Sequence, residues 1–236
     1  MGVGYNPKTV TDGLVLCLDA ANQKSYPGTG TVWTDLSGLG NNGDLRNGAT
    51  YDSADNGSIV FDGTNDYCKV LNSSSLEIAG NNITLEAVYK SDVLASAQHG
   101  AGLISKGSGQ NDGQYELLLA VSESKNVGFF RCAGMGYYYP SAIPMDIGTT
   151  YSVTGVLSNG YMRVYINGVQ DGSGVQLPNS MGNHGAPLAL GSRQNSAGGG
   201  TSTHEGDIYS AKVYNRALSA AEVQQNFNAL RGRYGI

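Results

Sequence analysis

A chain of 236 residues is long enough to bury a core unaided, and all-β proteins of this size commonly form one domain. Its 14 Lys and Arg against 19 Asp and Glu leave a formal net charge of −5, and no run or stripe of cations could track a phosphate backbone, which argues against nucleic acid as a partner. No apolar stretch approaches the roughly 20 residues that cross a bilayer, and the opening MGVGYNPKTVTDG lacks the basic and apolar regions of a secretory signal, so the expectation is cytosolic synthesis without membrane insertion.

Residues 1–12 read as an N-terminal arm and 13–236 as one domain. The 35 glycines are spread along the chain among Asn, Ser, Thr and Asp, as expected for tight turns joining short strands. Period-two alternation marks strands in GLVLCLDA (13–20), GSIVFDG (57–63), DYCKVL (66–71), ITLEAVYK (83–90), GLIS (102–105) and QYELLLAV (114–121). It continues in NVGFFRC (126–132), YSVTGVL (151–157), YMRVYING (161–168), APLALGS (186–192) and GDIYSAKVYN (206–215). Asn159-Gly160, between two of these runs, is the pair a type I′ hairpin requires, because both central residues need positive φ. Short strands at this spacing predict an all-β, two-sheet antiparallel jelly-roll sandwich.

In DLSGLGNNGD (35–44), Gly38, Gly40 and Gly43 have the G-x-G-x-x-G spacing of a dinucleotide loop. The residues that follow, DLRNGATYDSADNG, offer no helix to receive a phosphate, so the stretch reads as surface turns. Near the C-terminus LSAAEVQQNFNALRG breaks the strand pattern. Ser219 and Glu222 form a capping box, Leu218 and Val223 a hydrophobic staple, and Val223, Phe227 and Leu230 one apolar face. With Gly232 at C′, the spacing predicts a helix over 219–231 that covers a sheet edge or face.

The candidate chemistry is sparse. Cys17, Cys68 and Cys132 lie in strand-like runs without zinc spacing and read as reduced core thiols. Glu205 and Asp207, two apart, suggest the paired acids of a β-glucanase, but the further Glu that chemistry needs is replaced by Tyr209 and Ser210. His99, His184 and His204 occupy Gly- and Ser-rich segments and read as surface-loop residues. Asp62, Asn65 and Asp66 in FDGTNDY put three side-chain oxygens within five residues, which fits either calcium or an Asx turn bonded to its own backbone. Tyr137 and Tyr139 share a strand face and, with Trp33, are candidate stacking surfaces for a sugar ring or core residues.

Three segments carry a resemblance: DLSGLGNNG, FDGTNDY and the ending GDIYSAKVYNRALSAAEV. With the strand runs around them they resemble the laminin-G-like, concanavalin A-like jelly-roll family over nearly the whole chain. The beginning GLVLCLDAANQKSYPG and the ending LRGRYGI are most similar to domains of tailed-bacteriophage virion proteins. The resemblance implies a non-enzymatic virion surface protein, a capsid decoration or head- or tail-fibre component, with other virion proteins as partners. Family members bind carbohydrate or protein surfaces and some hold calcium. A calcium-assisted lectin-like module is therefore the alternative, with polysaccharide or cell-surface glycans as ligands, and a homo-oligomer stays open.

Overall fold

The computed structural model describes residues 7–93, 101–107, 115–122, 125–132, 138–140, 145–176, 181–182, 185–194 and 200–236. In chain order its first strands are β1 (Leu14–Asp19), β2 (Val32–Trp33), β3 (Gly43–Arg46), β4 (Thr50–Asp52), β5 (Ser58–Asp62) and β6 (Tyr67–Val70). Then come β7 (Ile83–Ser91), β8 (Gly102–Lys106), β9 (Tyr115–Ser122), β10 (Lys125–Cys132), β11 (Tyr138–Pro140) and β12 (Thr150–Ser158). The last are β13 (Tyr161–Ile166), β14 (Val169–Gln176), β15 (Leu188–Leu190), β16 (Arg193–Gln194), β17 (Gly200–Thr201) and β18 (Glu205–Tyr214), followed by α1 (Ala220–Tyr234). Each run that alternates apolar and polar residues is a strand. The segment DLRNGATYDSADNG, expected to be turns, supplies most of β3 and all of β4, whose four and three residues are too few to display a period.

The strands form the expected antiparallel jelly-roll sandwich. The first sheet has the order β14-β13-β12-β7-β18-β5-β4, with β1 also paired to β18, and the second has β11-β10-β9-β8-β15-β6-β3-β2. β18 holds two neighbours along one side, Glu205–Ile208 against β5 and Ser210–Tyr214 against β1, and it is bulged against β7 between those stretches. Leu16, Leu18, Phe61 and Leu85 from the first sheet meet Leu45, Cys68, Ile104 and Leu190 from the second in one core. In the hairpin joining β12 to β13, Asn159 and Gly160 take φ of 50° and 79°, the left-handed pair expected for a type I′ turn.

The helix begins as the sequence indicates. Ser219 Oγ accepts from the Glu222 N–H at 3.3 Å, and Glu222 Oε2 accepts from the Ser219 N–H at 2.8 Å. Leu218 and Val223 pack in one cluster with Val156, Tyr165 and Tyr214. The far end differs: Gly232 is helical, and Gly235, with φ 69°, is the left-handed cap. Packing explains the extra turn, because Leu230 and Tyr234 close against Val88 and Tyr209 of the first sheet. α1 thus covers a sheet face, and among the described residues no helix is long and apolar enough to cross a membrane.

Candidate functional site

The stretch DLSGLGNNGD is organised around one buried carboxylate. Asp35 Oδ1 accepts from the backbone N–H groups of Cys17 and Ser37 at 2.8 and 2.9 Å, and Oδ2 accepts from the Asn41 N–H at 3.0 Å and the Ser37 hydroxyl at 2.6 Å. Asn41 then donates to the Val15 carbonyl and to Ser75 Oγ, so the loop is tied both to β1 and to the turn after β6. Such a carboxylate is spent on holding backbone, not on chemistry. Gly38 and Gly40 provide left-handed turns with φ of 88° and 75°. Gly43 is fixed by packing, since a Cβ there would lie 2.3 Å from Cys68 Sγ. The glycine spacing thus records two turns and one close approach between strands.

What the loop positions is a surface cavity. β3 and β6 pair Asp44 with Lys69 and Leu45 with Cys68. Leu45, Cys68 and Val70 face the core, so strand alternation turns Asp44, Arg46 and Lys69 to the outer surface of the second sheet. There, with Val32, Asn42 and Leu71, they border an open cavity of about 360 Å³. Val32 and Leu71 are 52% and 72% exposed and present aliphatic surface at its rim. Asp44 and Arg46 form an ion pair. Lys69, opposite Asp44, enters no ion pair among the described residues. The site offers acceptors on Asp44, donors on Arg46 and Lys69, and aliphatic contact on Val32 and Leu71. None of these residues was singled out from sequence. GDLR and YCKV show only the alternation of a strand, where outward positions carry charge while inward ones are apolar or glycine.

The residues singled out from sequence fare differently. Trp33 is fully buried in the core, out of reach of a ligand, because β2 turns Val32 outward and Trp33 inward. Tyr137 lies outside the described residues. The backbone of Tyr139 pairs with Phe130 on β10, and that row continues through Leu117, Ile104, Leu190 and Cys68.

Asp62, Asn65 and Asp66 adopt the turn geometry. Asp62 Oδ1 accepts from the backbone N–H groups of Thr64, Asn65 and Asp66, and these bonds hold its carboxyl below the usual carboxylate range. Asp66 Oδ2 accepts from the Asp62 N–H, while burial, reinforced by Asp62, pushes the Asp66 carboxyl up. The Asn65 carbonyl accepts from Asn47 Nδ2. Calcium needs six to eight oxygens; here Asp62 Oδ1 and Asp66 Oδ2 accept backbone N–H groups, as an Asx turn requires, while Asp66 Oδ1 is buried with no hydrogen-bond partner among the described residues.

Glu205 is exposed, whereas Asp207 is buried, its Oδ1 accepting from Ser58 Oγ at 2.5 Å and its Oδ2 lying 2.9 Å from Lys90 Nζ. His204, expected on a surface loop, is fully buried beside Phe61 and Tyr89, its Nε2 3.2 Å from the Lys90 carbonyl. His99 and His184 lie outside the described residues. Cys17 and Cys68 are free thiols, and burial pushes Cys17 up to about 11.

Comparison with solved structures returns the same sandwich at low identity. Domain 4 of an extracellular arabinanase from Geobacillus stearothermophilus, solved in complex with arabinotriose, aligns with 90% of this chain and 97% of its own length at 17% identity and a TM-score of 0.67. The binding domain of Paraclostridial Mosquitocidal Protein 1 aligns with 93% of this chain and 52% of its own at 15% identity and a TM-score of 0.70. Trypanosoma rangeli sialidase aligns with 94% of this chain but 33% of its own at 16% identity and a TM-score of 0.62. The chain therefore spans nearly all of the arabinanase domain, about half of the mosquitocidal protein chain and a third of the sialidase. At these identities the likeness is one of fold. No curated protein sequence gives a match. A family model described as the concanavalin A-like lectin/glucanases superfamily matches residues 62–224, and the chain belongs to that superfamily.

Proposed function

We propose that this chain is a non-catalytic adhesion module that binds carbohydrate in the outer cavity of the second sheet, carried on a bacteriophage virion as a decoration or fibre component. One observation carries the sugar reading: the outer cavity sets hydrogen-bonding side chains beside exposed apolar ones, on a fold that aligns with 97% of a domain solved with arabinotriose. Sugar recognition needs hydrogen-bonding side chains beside apolar contact for the C–H faces of the ring. Asp44, Arg46 and Lys69 supply the first, Val32 and Leu71 the second. The non-catalytic reading draws support from Asp207, whose carboxylate is bound to Ser58 and Lys90 and so is not free to partner Glu205. The virion placement rests on the beginning GLVLCLDAANQKSYPG and the ending LRGRYGI.

A glycan array probed with the wild type and with Arg46→Ala is the direct test. Binding to defined glycans that weakens at least tenfold in the variant supports the reading; absence of binding to any glycan removes it. Mass spectra of purified virions test the placement, and failure to find the chain there refutes it.

A further inference from the structure

We propose that a second cavity, at the C-terminal end of α1 on the side of the first sheet, binds the carboxylate of an acidic saccharide. It rests on the carbohydrate-binding reading above and adds a second contact of different charge preference. The cavity is a shallow depression of about 500 Å³, widely open to solvent, lined by Ala21, Asn22, Gln23, Lys24, Asn56 and Arg233. These residues come from three separate segments: the loop after β1, the short 3-10 turn at Ala54–Asn56, and the last turn of α1.

The groups are held in place by contacts that leave the cavity open. Arg233 donates through Nη1 to Asp19 Oδ2 at 2.5 Å, and its guanidinium lies 5.7 Å from the Tyr234 ring centroid. A fork held at one nitrogen over an aromatic face keeps further donors in a fixed plane. Asn56 donates from Nδ2 to the Arg233 carbonyl at 2.6 Å, which locks the 3-10 turn to the helix end. Asn22 Oδ1 accepts from the Lys24 N–H at 3.0 Å and sets the loop that presents Lys24.

Charge gives the preference. No acid lines the cavity among the described residues. Asp19, the nearest acid behind it, has Oδ2 on Arg233 and Oδ1 on the Ala21 N–H and the Tyr234 hydroxyl. Lys24 is exposed and has no ion pair among the described residues, so it is the uncompensated charge of the site. A lysine and an oriented guanidinium fit a carboxylate, and three side-chain amides on Asn22, Gln23 and Asn56 fit sugar hydroxyls. The outer-sheet cavity differs in having an acid, Asp44, in its lining beside Arg46 and Lys69.

The test is calorimetric titration of the full chain with trigalacturonate and with a neutral glycan that the array identifies, using the wild type, Lys24→Glu and Lys69→Glu. Among the described residues Lys24 contributes only its backbone N–H to the fold, so its variant should fold; circular dichroism checks this. The expected result is trigalacturonate binding that falls at least tenfold in Lys24→Glu and weakens with added salt, with neutral-glycan affinity unchanged in that variant. Lys69→Glu should reduce the neutral glycan instead. Trigalacturonate binding unaffected by Lys24→Glu, or no trigalacturonate binding while the neutral glycan binds, overturns the second site alone. No saccharide binding of any kind removes both readings. Equal competition by inorganic phosphate would overturn the sugar preference by reducing the site to a general anion contact.

Discussion

The two sheets each carry a lysine opposite an acid on their outer faces, and the two pairs have opposite fates. On the first sheet Lys212 pairs across strands with Glu86, and on the second Lys69 pairs with Asp44. Lys212 and Glu86 are almost completely buried beneath α1, bonded to each other, with Asn226 of the helix donating to Glu86 at 2.9 Å. Asn226 also donates to the Tyr214 hydroxyl and accepts the Val10 N–H, which pins the N-terminal segment under the same helix. Nothing described covers Asp44 and Lys69 in this way, and they border a cavity. The same alternation of strand residues thus yields a buried ion pair where a helix seals the sheet and two separate, solvent-accessible charges where it does not. Coverage decides the role.

The sharpest way to break this comparison is to remove one partner on each side. Glu86→Ala leaves the Lys212 ammonium buried without its counter-ion, which costs about 3–5 kcal/mol. Asp44→Ala, whose partner Arg46 is half exposed, costs below about 1 kcal/mol. Urea unfolding of both variants measures the difference. Similar losses at the two positions would mean that the outer cavity is also part of the structural framework.

A second break concerns a buried polar group with no such counter-ion. Burial holds the His204 imidazole down at about 4, against an ordinary value near 6.5. Between those values the unfolded chain takes up a proton that the folded chain refuses. Stability is therefore complete above about pH 6.5 and falls as the pH drops, by about 2 kcal/mol at pH 5. Thermal midpoints of the wild type and His204→Phe between pH 7 and 5 provide the check. The slope should flatten in the variant, and parallel curves would assign the acid sensitivity elsewhere.

His204 also marks where the sequence stops being readable. STHEGD looks like a polar loop, and only the tertiary approach of Phe61 and Tyr89, more than a hundred residues away, buries the ring. Trp33 is a similar case: the two-residue strand that turns it inward is too short to show a period. Long elements were legible because their signals are local. Alternation in β7, β12 and β18 and the capping box of α1 need no partner to be recognised. The cavity residues Asp44, Arg46 and Lys69 carry no distinguishing signal in the sequence, because outward charge on a strand is also how any solvated sheet looks.

The helix that creates the asymmetry can be loosened at its start. Ser219→Ala removes the cap that receives the Glu222 N–H, and the expected loss is about 1 kcal/mol. Hydrogen exchange of the β7 and β18 amides beneath α1 should quicken while that of β3 and β6 stays the same. Uniform quickening would show that the helix supports both faces, and the contrast between sealed and open sheets would then lose its basis.

The smallest effect on stability is expected at the open face itself. Lys69 is half-buried and enters no ion pair among the described residues, so Lys69→Ala should shift unfolding by no more than about 0.5 kcal/mol. Its ammonium is, however, a donor bordering the outer cavity, and a lost hydrogen bond from a charged group to a ligand is worth about 1.5–3 kcal/mol. The variant should therefore bind the array-identified neutral glycan at least tenfold more weakly while unfolding like the wild type. Titration calorimetry and urea unfolding on the same preparation separate the two quantities. Loss of stability without loss of binding would place Lys69 with Lys212 as a framework residue and move the sugar contact away from this sheet.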